Sequence, residues 1–227
     1  MDLNVALRTT GSIREFSPDP VSEDVLYAVL DDARFAPSGG NRQAWRVIVV
    51  TGEQRRALAG IYLDAWHDYV AHVLAGRVPF SPLASDADRA AALAQRDEAI
   101  RRSDPTGFAE TIDQVPAMLV VLADLGALAA TDRDLARYQI VGGASVYPFV
   151  WSMLLSAHDH GLGGVMTTVL TRHEDQARRV LEVPDTFAIA ALVALGYPRA
   201  RHTRLKRRSV EAFTTRDSFS GQPFTRP

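Results

Sequence analysis

Three short apolar runs, separated by long segments with helical periodicity, constrain the fold of this chain most strongly. They are WRVIVVT at 45–51, AMLVVLAD at 117–124 and TFAIAALVALGYP at 186–198. Each run is rich in β-branched or aliphatic residues and is bounded by turn-forming residues, which is typical of buried strands. Strands interleaved with helices form a sheet whose faces those helices cover. The sequence therefore predicts an α/β or α+β sandwich.

Capping residues and apolar spacing mark the helices between these runs. Ser22 is an N-cap followed by two acids, and Gly52 begins a long helix that continues to about Leu74. Residues 142–161 are apolar on all sides of a helix, with Pro148 near its start. Such a helix is buried, either in the core or in a subunit interface.

One segment departs from this alternation. Residues 76–115 are charged, alanine-rich and interrupted by prolines, and we interpret them as a partly helical surface excursion that can act as a lid. No internal repeat or linker divides the rest of the sequence. We therefore expect a single domain over residues 1–227, with this excursion inserted in it.

Composition excludes several classes of chemistry. Lys and Arg total 25 against 27 Asp and Glu, so the formal net charge of −2 gives no field that would gather nucleic acid or an anionic membrane. Without cysteine, the chain has no disulfide, iron–sulfur cluster, thiolate metal site or cysteine nucleophile. The N-terminus lacks a signal-peptide pattern, and the longest apolar run, Phe187–Leu195, is too short to cross a bilayer. We expect a soluble, cytoplasmic protein.

Two segments carry groups that bind anions. RTTGSIREF at 8–16 gathers Arg8, Ser12 and Arg14 around a glycine, and this mixture of guanidinium and hydroxyl donors suits a phosphate or a carbonyl edge. RARHTRLKRR at 199–208 carries six cations and no acid. For this basic run, a solvated surface and a nucleic-acid patch stay open beside a specific phosphate site.

No motif of a common catalytic centre is present. The sequence lacks G-x-G-x-x-G, G-x-x-x-x-G-K-[ST], G-x-S-x-G and H-E-x-x-H, and His158 and His160 would point apart on a helix, so we predict no metal site. The small residues of GGVMTT at 163–168 allow a flat ligand to approach the backbone. Ligand-holding motifs without an acid, base or nucleophile indicate that a bound cofactor performs the chemistry.

Four segments follow one another in a recognisable order. They are GSIREF at 11–16, APSGGNRQAWRVIVV at 36–50, the stretch from GGASVY to GLGG at 142–164, and ALVALGYP…KRRSVEAF within 191–213. In order and spacing these segments resemble the FMN-dependent nitroreductase family. The resemblance implies α+β subunits with a mixed sheet wrapped by helices. It also implies a homodimer with two FMN sites at its interface and a C-terminal extension that wraps the partner.

The resemblance assigns roles to the anion-binding segments. Ser12 matches the phosphate-binding serine, and Arg14 matches the basic residue beside the N1 and O2 edge of the flavin. A basic residue usually stands where this chain has Thr10, and we expect Arg8 to substitute for it. The phosphate cations of the C-terminal motif match Arg207 together with Lys206 or Arg208.

Two further segments are implied to touch the flavin ring. A loop that contacts the ring, often across the dimer, matches Pro37, Ser38, Gly39, Asn41 and Gln43. Ala44 replaces the proline that commonly follows this glutamine, and we expect Trp45 to anchor the next strand in the core. The backbone N–H that faces flavin N5 matches Met166, Thr167 and Thr168.

The chemistry implied by the resemblance is hydride transfer. FMN would take hydride from NADH or NADPH and pass it to nitroaromatics, quinones or similar electron-poor acceptors in a ping-pong cycle. A guanidinium near N1 and O2 would stabilise the negative charge of the reduced ring. Two alternatives stay open: a flavin storage or sensor protein with little turnover, and a dehalogenase or flavin-cleaving member of the same family.

Overall fold

A four-stranded antiparallel sheet forms the centre of the computed structural model, which describes residues 1–226. Its strands in chain order are β1 (Trp45–Val50), β2 (Ala117–Asp124), β3 (Gly163–Thr167) and β4 (Phe187–Gly196). They lie in the order β1-β2-β4-β3, so β1 and β3 are the edges. Among the described residues, parallel pairing is limited to an isolated bridge between Ser12 and Gly164, which lies outside the four strands, so the sheet itself is antiparallel and not mixed.

Three strands were predicted and one was missed. β1, β2 and β4 coincide with the apolar runs, which confirms those predictions. β3 was missed because Gly163 and Gly164 carry no β-branched signal. The interpretation of these glycines as an approach for a flat ligand was wrong: both are buried, and a Cβ on Gly163 would lie 2.8 Å from the side chain of Ile13. Their small size accommodates the N-terminal segment.

Seven α-helices surround the sheet in the described part of the chain. They are α1 (Leu3–Thr9), α2 (Glu23–Ala33), α3 (Gly52–Leu74), α4 (Asp86–Leu93), α5 (Arg96–Arg101), α6 (Tyr147–Asp159) and α7 (Glu174–Val180). Short 3-10 helices cover Gly39–Asn41, Ile112–Gln114, Val141–Ser145, Val169–His173 and Val210–Ala212. Ser22 caps α2 by accepting a hydrogen bond from the Val25 N–H, as predicted. Among residues 1–226, no helix is long and apolar enough to cross a membrane.

The two faces of the sheet carry separate hydrophobic cores. Leu119 and Val121 of β2 belong to the core that includes α2 and α6, whereas Met118 and Val120 belong to the core that includes α3. Alternate residues of a strand point to opposite faces, so β2 is buried on both sides. Trp45, which is partly buried, stacks on Phe149 with ring centroids 4.7 Å apart, so it packs against this core as expected.

Helix α6 is buried on one side of its axis within the single chain. Pro148 lies in its first turn, and Gly161, with a φ of 83°, follows its end in the left-handed conformation. Phe149 is buried, whereas Tyr147 and Trp151 are each 40% exposed. Burial of the exposed side in a subunit interface, one of the two expected alternatives, stays a prediction.

The 76–115 excursion is partly helical, as predicted, and packs against α3. It contains α4 and α5, and Ala92 and Ala99 of these helices are buried. Arg96 of α5 donates hydrogen bonds to the carboxylates of Asp64 and Asp68 on α3. The excursion is therefore fastened to the body by both apolar contacts and ion pairs. Its movement as a lid stays a prediction.

Substitution of Gly164 tests how closely β3 packs against its neighbours. A Cβ here would lie 2.8 Å from the carbonyl oxygen of Ala194 and 3.0 Å from the side chain of Leu154. We expect Gly164→Ala to lower the free energy of unfolding in urea by about 1–3 kcal/mol, the range for overpacked cores. The control is Gly60→Ala in α3, where nothing lies within 4 Å and alanine should stabilise the helix by up to about 1 kcal/mol. Equal stability of the two variants would contradict this packing.

Candidate functional site

A cavity of about 470 Å³ lies between α3, the end of β3 and residues 102–110 of the excursion. Its lining brings together four of the predicted site residues, Arg14, Met166, Thr167 and Thr168. Four aromatic side chains form much of the remaining wall: Tyr62, Trp66, Tyr69 and Phe108. A flat molecule with an electron-rich or negatively charged edge suits such a combination of aromatic walls and a guanidinium.

The N-terminal segment reaches this cavity because it pairs with β3. The Ile13 N–H donates to the carbonyl oxygen of Gly164 at 2.9 Å, and Ile13 itself is buried. Arg14, the next residue, is exposed and lies beside the cavity. A wider groove of about 680 Å³ shares Arg14 and Phe108 with the cavity and extends to Arg199. The cavity therefore opens towards a polar groove.

Tyr62 fixes the side chain of Thr167 from the opposite wall. Its phenol lies 3.1 Å from Thr167 Oγ1, and Tyr62 is 2% exposed. Burial raises the pKa of Tyr62, while the hydrogen bond to Thr167 and the nearby Arg14 cation act in the opposite direction. The Thr167 hydroxyl also accepts a hydrogen bond from the Val169 N–H at 3.4 Å. The end of β3 is thus held in place beside the cavity.

A hydrogen-bonded chain of three side chains forms another part of the wall. Ser103 Oγ donates to the carboxylate of Glu110, and His67 Nε2 lies 3.2 Å from Ser103 Oγ. An ionised carboxylate only accepts, so the serine proton goes to Glu110 and His67 Nε2 donates to the serine. This chain links α3 to the excursion. Sequence reasoning missed it because its members are 36 and 7 residues apart and form no spaced motif.

The basic C-terminal run at 199–208 passes beside Ser12. His202 Nε2 lies 3.2 Å from the Ser12 carbonyl oxygen, and a Cβ on Gly11 would lie 2.9 Å from the side chain of Leu205. The next three cations, Lys206, Arg207 and Arg208, are exposed, and none has a carboxylate within 4.0 Å among residues 1–226. Their charge is available to an anion near Ser12.

Arg8 lies apart from the cavity. Its guanidinium donates to the backbone oxygen of Asn4 at 3.2 Å and to the Asn4 side chain at 3.0 Å. Arg8 and Thr203 line a shallow depression on the surface. Thr10, at the position where a basic residue was expected, is buried and bonded to His158 Nδ1 at 2.7 Å. Arg8 is therefore near the basic run but holds an internal hydrogen bond.

The loop at Pro37–Gln43 is an ordered turn with exposed amides. Ser38 Oγ accepts from the Gln43 N–H at 2.9 Å, and the Gly39 N–H donates to Ser145 Oγ at 3.1 Å. Asn41 and Gln43 have φ values of 52° and 49°, a left-handed conformation that costs energy for residues other than glycine. The side chains of both residues are exposed, whereas Ala44 is buried.

This loop and the cavity lie at opposite edges of the sheet. The loop leads into β1, and Thr167 ends β3, so three strand spacings of about 4.8 Å separate them laterally. Trp45 pairs with Ala123 of β2, which in turn pairs with Ala188 of β4. Thr167 pairs with Leu192 of β4, four residues further along that strand. The two positions are therefore also offset by about 14 Å along the strand direction. The loop is therefore roughly 20 Å from the cavity of its own chain.

The histidines do not assemble a metal site. His158 bonds to Thr10, whereas His160 Nε2 lies 3.4 Å from a carboxylate oxygen of Asp32. Within the part of the chain that the structure describes, no group of three or more metal-ligating side chains is present.

The chain is similar to known proteins over nearly its whole length. Residues 7–197 match the profile of the Nitroreductase family. An NADH dehydrogenase from Thermus thermophilus is 34% identical over 199 residues, which is 87% of each chain. A 4-nitrobenzoate reductase from Pseudomonas putida is 25% identical over 229 residues, or 94% of each.

A solved structure supports the fold. A mutant of the FMN and NADPH-dependent nitroreductase NfnB from Sphigopyxis sp. strain HMH superposes with a TM-score of 0.64 at 22% identity. The superposition covers 96% of this chain and 100% of that one. Together with the family profile and the curated relatives, it confirms the resemblance seen in the sequence. The chain belongs to the nitroreductase family of flavin-dependent oxidoreductases.

Proposed function

We propose that this protein takes hydride from NADH or NADPH through FMN and reduces nitroaromatics, quinones or similar electron-poor acceptors in a ping-pong cycle. The observation that carries the proposal is the cavity in which Arg14 faces aromatic side chains and the end of β3. The proposal includes a cytoplasmic homodimer that engages neither nucleic acid nor a membrane, in line with the charge balance of the sequence.

The residues of this region fit a flavin mononucleotide. Aromatic walls suit its flat ring, and Arg14 has no carboxylate within 4.0 Å among residues 1–226. An unpaired guanidinium is free to bind a carbonyl edge or a phosphate. We place the phosphate beside Ser12, with the cations of the basic run, Lys206, Arg207 and Arg208, around it.

FMN, when bound, supplies the hydride chemistry, so this chain has to bind, orient and stabilise charge. Arg14 supplies positive charge at the ring edge where negative charge develops. Tyr62 is hydrogen-bonded to Thr167, and burial moves the pKa of Tyr62 further above neutral pH, so its phenol stays neutral and keeps the contact that positions Thr167. The backbone N–H groups of Thr167 and Thr168 would then be available to the reacting edge of the ring.

We propose that the Pro37–Gln43 loop serves the flavin of the partner subunit. The distance of roughly 20 Å between the loop and the cavity of its own chain supports this assignment. Tyr147 and Trp151 of α6 also leave an apolar face exposed in the single chain. The C-terminal residues Phe213, Phe219 and Phe224 are exposed as well, which suits an extension that packs on another subunit.

The ping-pong cycle is supported by the shape of the site. One cavity borders the end of β3, and the groove that passes Arg14 and Phe108 to Arg199 leads into it. A nicotinamide and an acceptor that use the same entrance would have to occupy it in turn. The storage alternative is favoured by one observation, because residues 102–110 of the excursion already cover one side of the cavity.

The visible spectrum and anaerobic mixing test the proposed function. We expect a yellow protein whose flavin absorbance is bleached by NADH or NADPH and restored by a nitroaromatic acceptor, since the site binds FMN and admits both substrates. A colourless protein that takes up no added FMN would falsify the proposal. A stable oxidised spectrum with both nicotinamides would support storage, and bleaching that persists after air is admitted would support flavin cleavage, because cleavage of the ring needs an oxidant.

Arg207→Ala tests the place of the phosphate. We expect FMN affinity to fall by about 1–3 kcal/mol, the scale of a charge-assisted hydrogen bond, when the protein is titrated with FMN by fluorescence quenching. Arg179→Ala is the matched control, because Arg179 is also exposed but lies on α7. If both variants bind FMN as tightly as the parent protein, the phosphate lies elsewhere.

Mixed dimers test whether two chains share each flavin site. Arg14→Gln and Asn41→Ala should each weaken both sites of a homodimer, since one residue of each site is lost. A heterodimer of one Arg14→Gln chain and one Asn41→Ala chain can be purified with two different tags. If each site takes Arg14 from one chain and Asn41 from the other, one of its two sites keeps both parent residues. We therefore expect about half of the FMN in this heterodimer to bind with parental affinity. Weak binding at both sites would show that each chain builds its site alone.

A further inference from the structure

A second cavity lies between α3 and the first half of the excursion. Its volume is about 360 Å³, and it is lined on the apolar side by Ala71, Phe80, Ala84, Ala92 and Leu93. None of the predicted flavin-binding residues lines it. The small alanine side chains leave a slot against the Phe80 ring, which suits a flat aromatic group.

His72 is a buried polar group in the wall of this cavity. It is 8% exposed, and its Nδ1 has no hydrogen-bond partner among the described residues. Buried polar groups usually have a partner, because an unmade hydrogen bond costs free energy. The Phe80 ring contacts the His72 ring edge-on at 4.7 Å between centroids. The structure thus places a buried imidazole in the wall of the cavity, in contact with the Phe80 ring.

One of the arginines that line the cavity is not paired with a carboxylate. Arg96 is bound to Asp64 and Asp68, and Arg89 donates to Asp86. Arg172 also lines the cavity. Its guanidinium lies 5.1 Å from the centroid of the Phe80 ring, and it has no carboxylate within 4.0 Å among residues 1–226. An anion that enters the cavity therefore meets an unpaired guanidinium.

Phe80, whose ring lies near both of these polar groups, has a left-handed backbone. Its φ is 51°, a conformation that costs energy for an aromatic residue. Such strained residues occur at ligand clamps, where the surrounding contacts hold them in place. The ring of Phe80 contacts the His72 ring and lies near the Arg172 guanidinium.

We propose that this second cavity binds a small aromatic carboxylate. The carboxylate would pair with Arg172, and the ring would pack on Phe80 and the neighbouring alanines, beside the buried imidazole of His72. The site is independent of the flavin chemistry proposed above. Because Phe80 and α4 belong to the excursion, an occupied site would fasten the excursion to α3.

Calorimetric titration of the holoenzyme with phenylacetate tests this site. We expect one phenylacetate per chain, with an affinity that falls about tenfold or more in Arg172→Gln because the charge-assisted hydrogen bond is lost. Arg179→Gln is the control, because Arg179 is also exposed but does not line the cavity, and this variant should bind as the parent does. Phenethylamine, which has a similar shape but the opposite charge, should not bind.

A second measurement, made on the parent protein, does not depend on the folding of Arg172→Gln. Phenylacetate should shift the ring signals of His72 in NMR spectra, with these signals identified by their loss in His72→Gln. Undiminished affinity in Arg172→Gln would place the ligand elsewhere, including in the flavin cavity, and would overturn the proposal. Absence of binding at millimolar phenylacetate, or unshifted His72 signals, would overturn it as well.

Discussion

The antiparallel pairing of β2 with β4 is the interaction on which the other parts of the fold depend. Residues 118–122 of β2 and 191–195 of β4 are at most 2% exposed, so this pair forms the centre of both cores. Each fully buried aliphatic side chain contributes roughly 1.5–3 kcal/mol. β3 pairs with the free side of β4, and the N-terminal segment then pairs with β3. The position of Arg14 therefore follows from a chain of pairings that begins at the centre of the sheet.

Small residues make the last of these pairings possible. Gly163 and Gly164 have no side chains, so Ile13 and Leu195 can approach the β3 backbone closely. This role explains why the sequence did not reveal β3: the residues that allow the close approach are those that remove the usual signal of a strand. The continuous apolar runs of β1, β2 and β4 were predictable, because their burial requires β-branched and aliphatic side chains.

The candidate site was predictable in its motifs but not in its walls. Ser12, Arg14 and Thr167 stand in segments whose order indicated a family, and the structure brings Arg14 and Thr167 to one cavity. The aromatic and hydrogen-bonding walls, such as Tyr62 and His67, lie on the face of α3 and carry no motif. Helical spacing alone does not show which neighbour a side chain will meet, because that depends on how the excursion folds back.

The strand order also determines how the site relates to assembly. Because β1 and β3 are opposite edges, the width of the sheet separates the Pro37–Gln43 loop from the Arg14 cavity within one chain. A flavin that touches both would have to lie between two chains. Cofactor binding and subunit association would then stabilise each other, since a ligand held by both subunits favours the assembled state. The exposed side of α6, with Tyr147 and Trp151, provides the apolar surface that such an assembly requires.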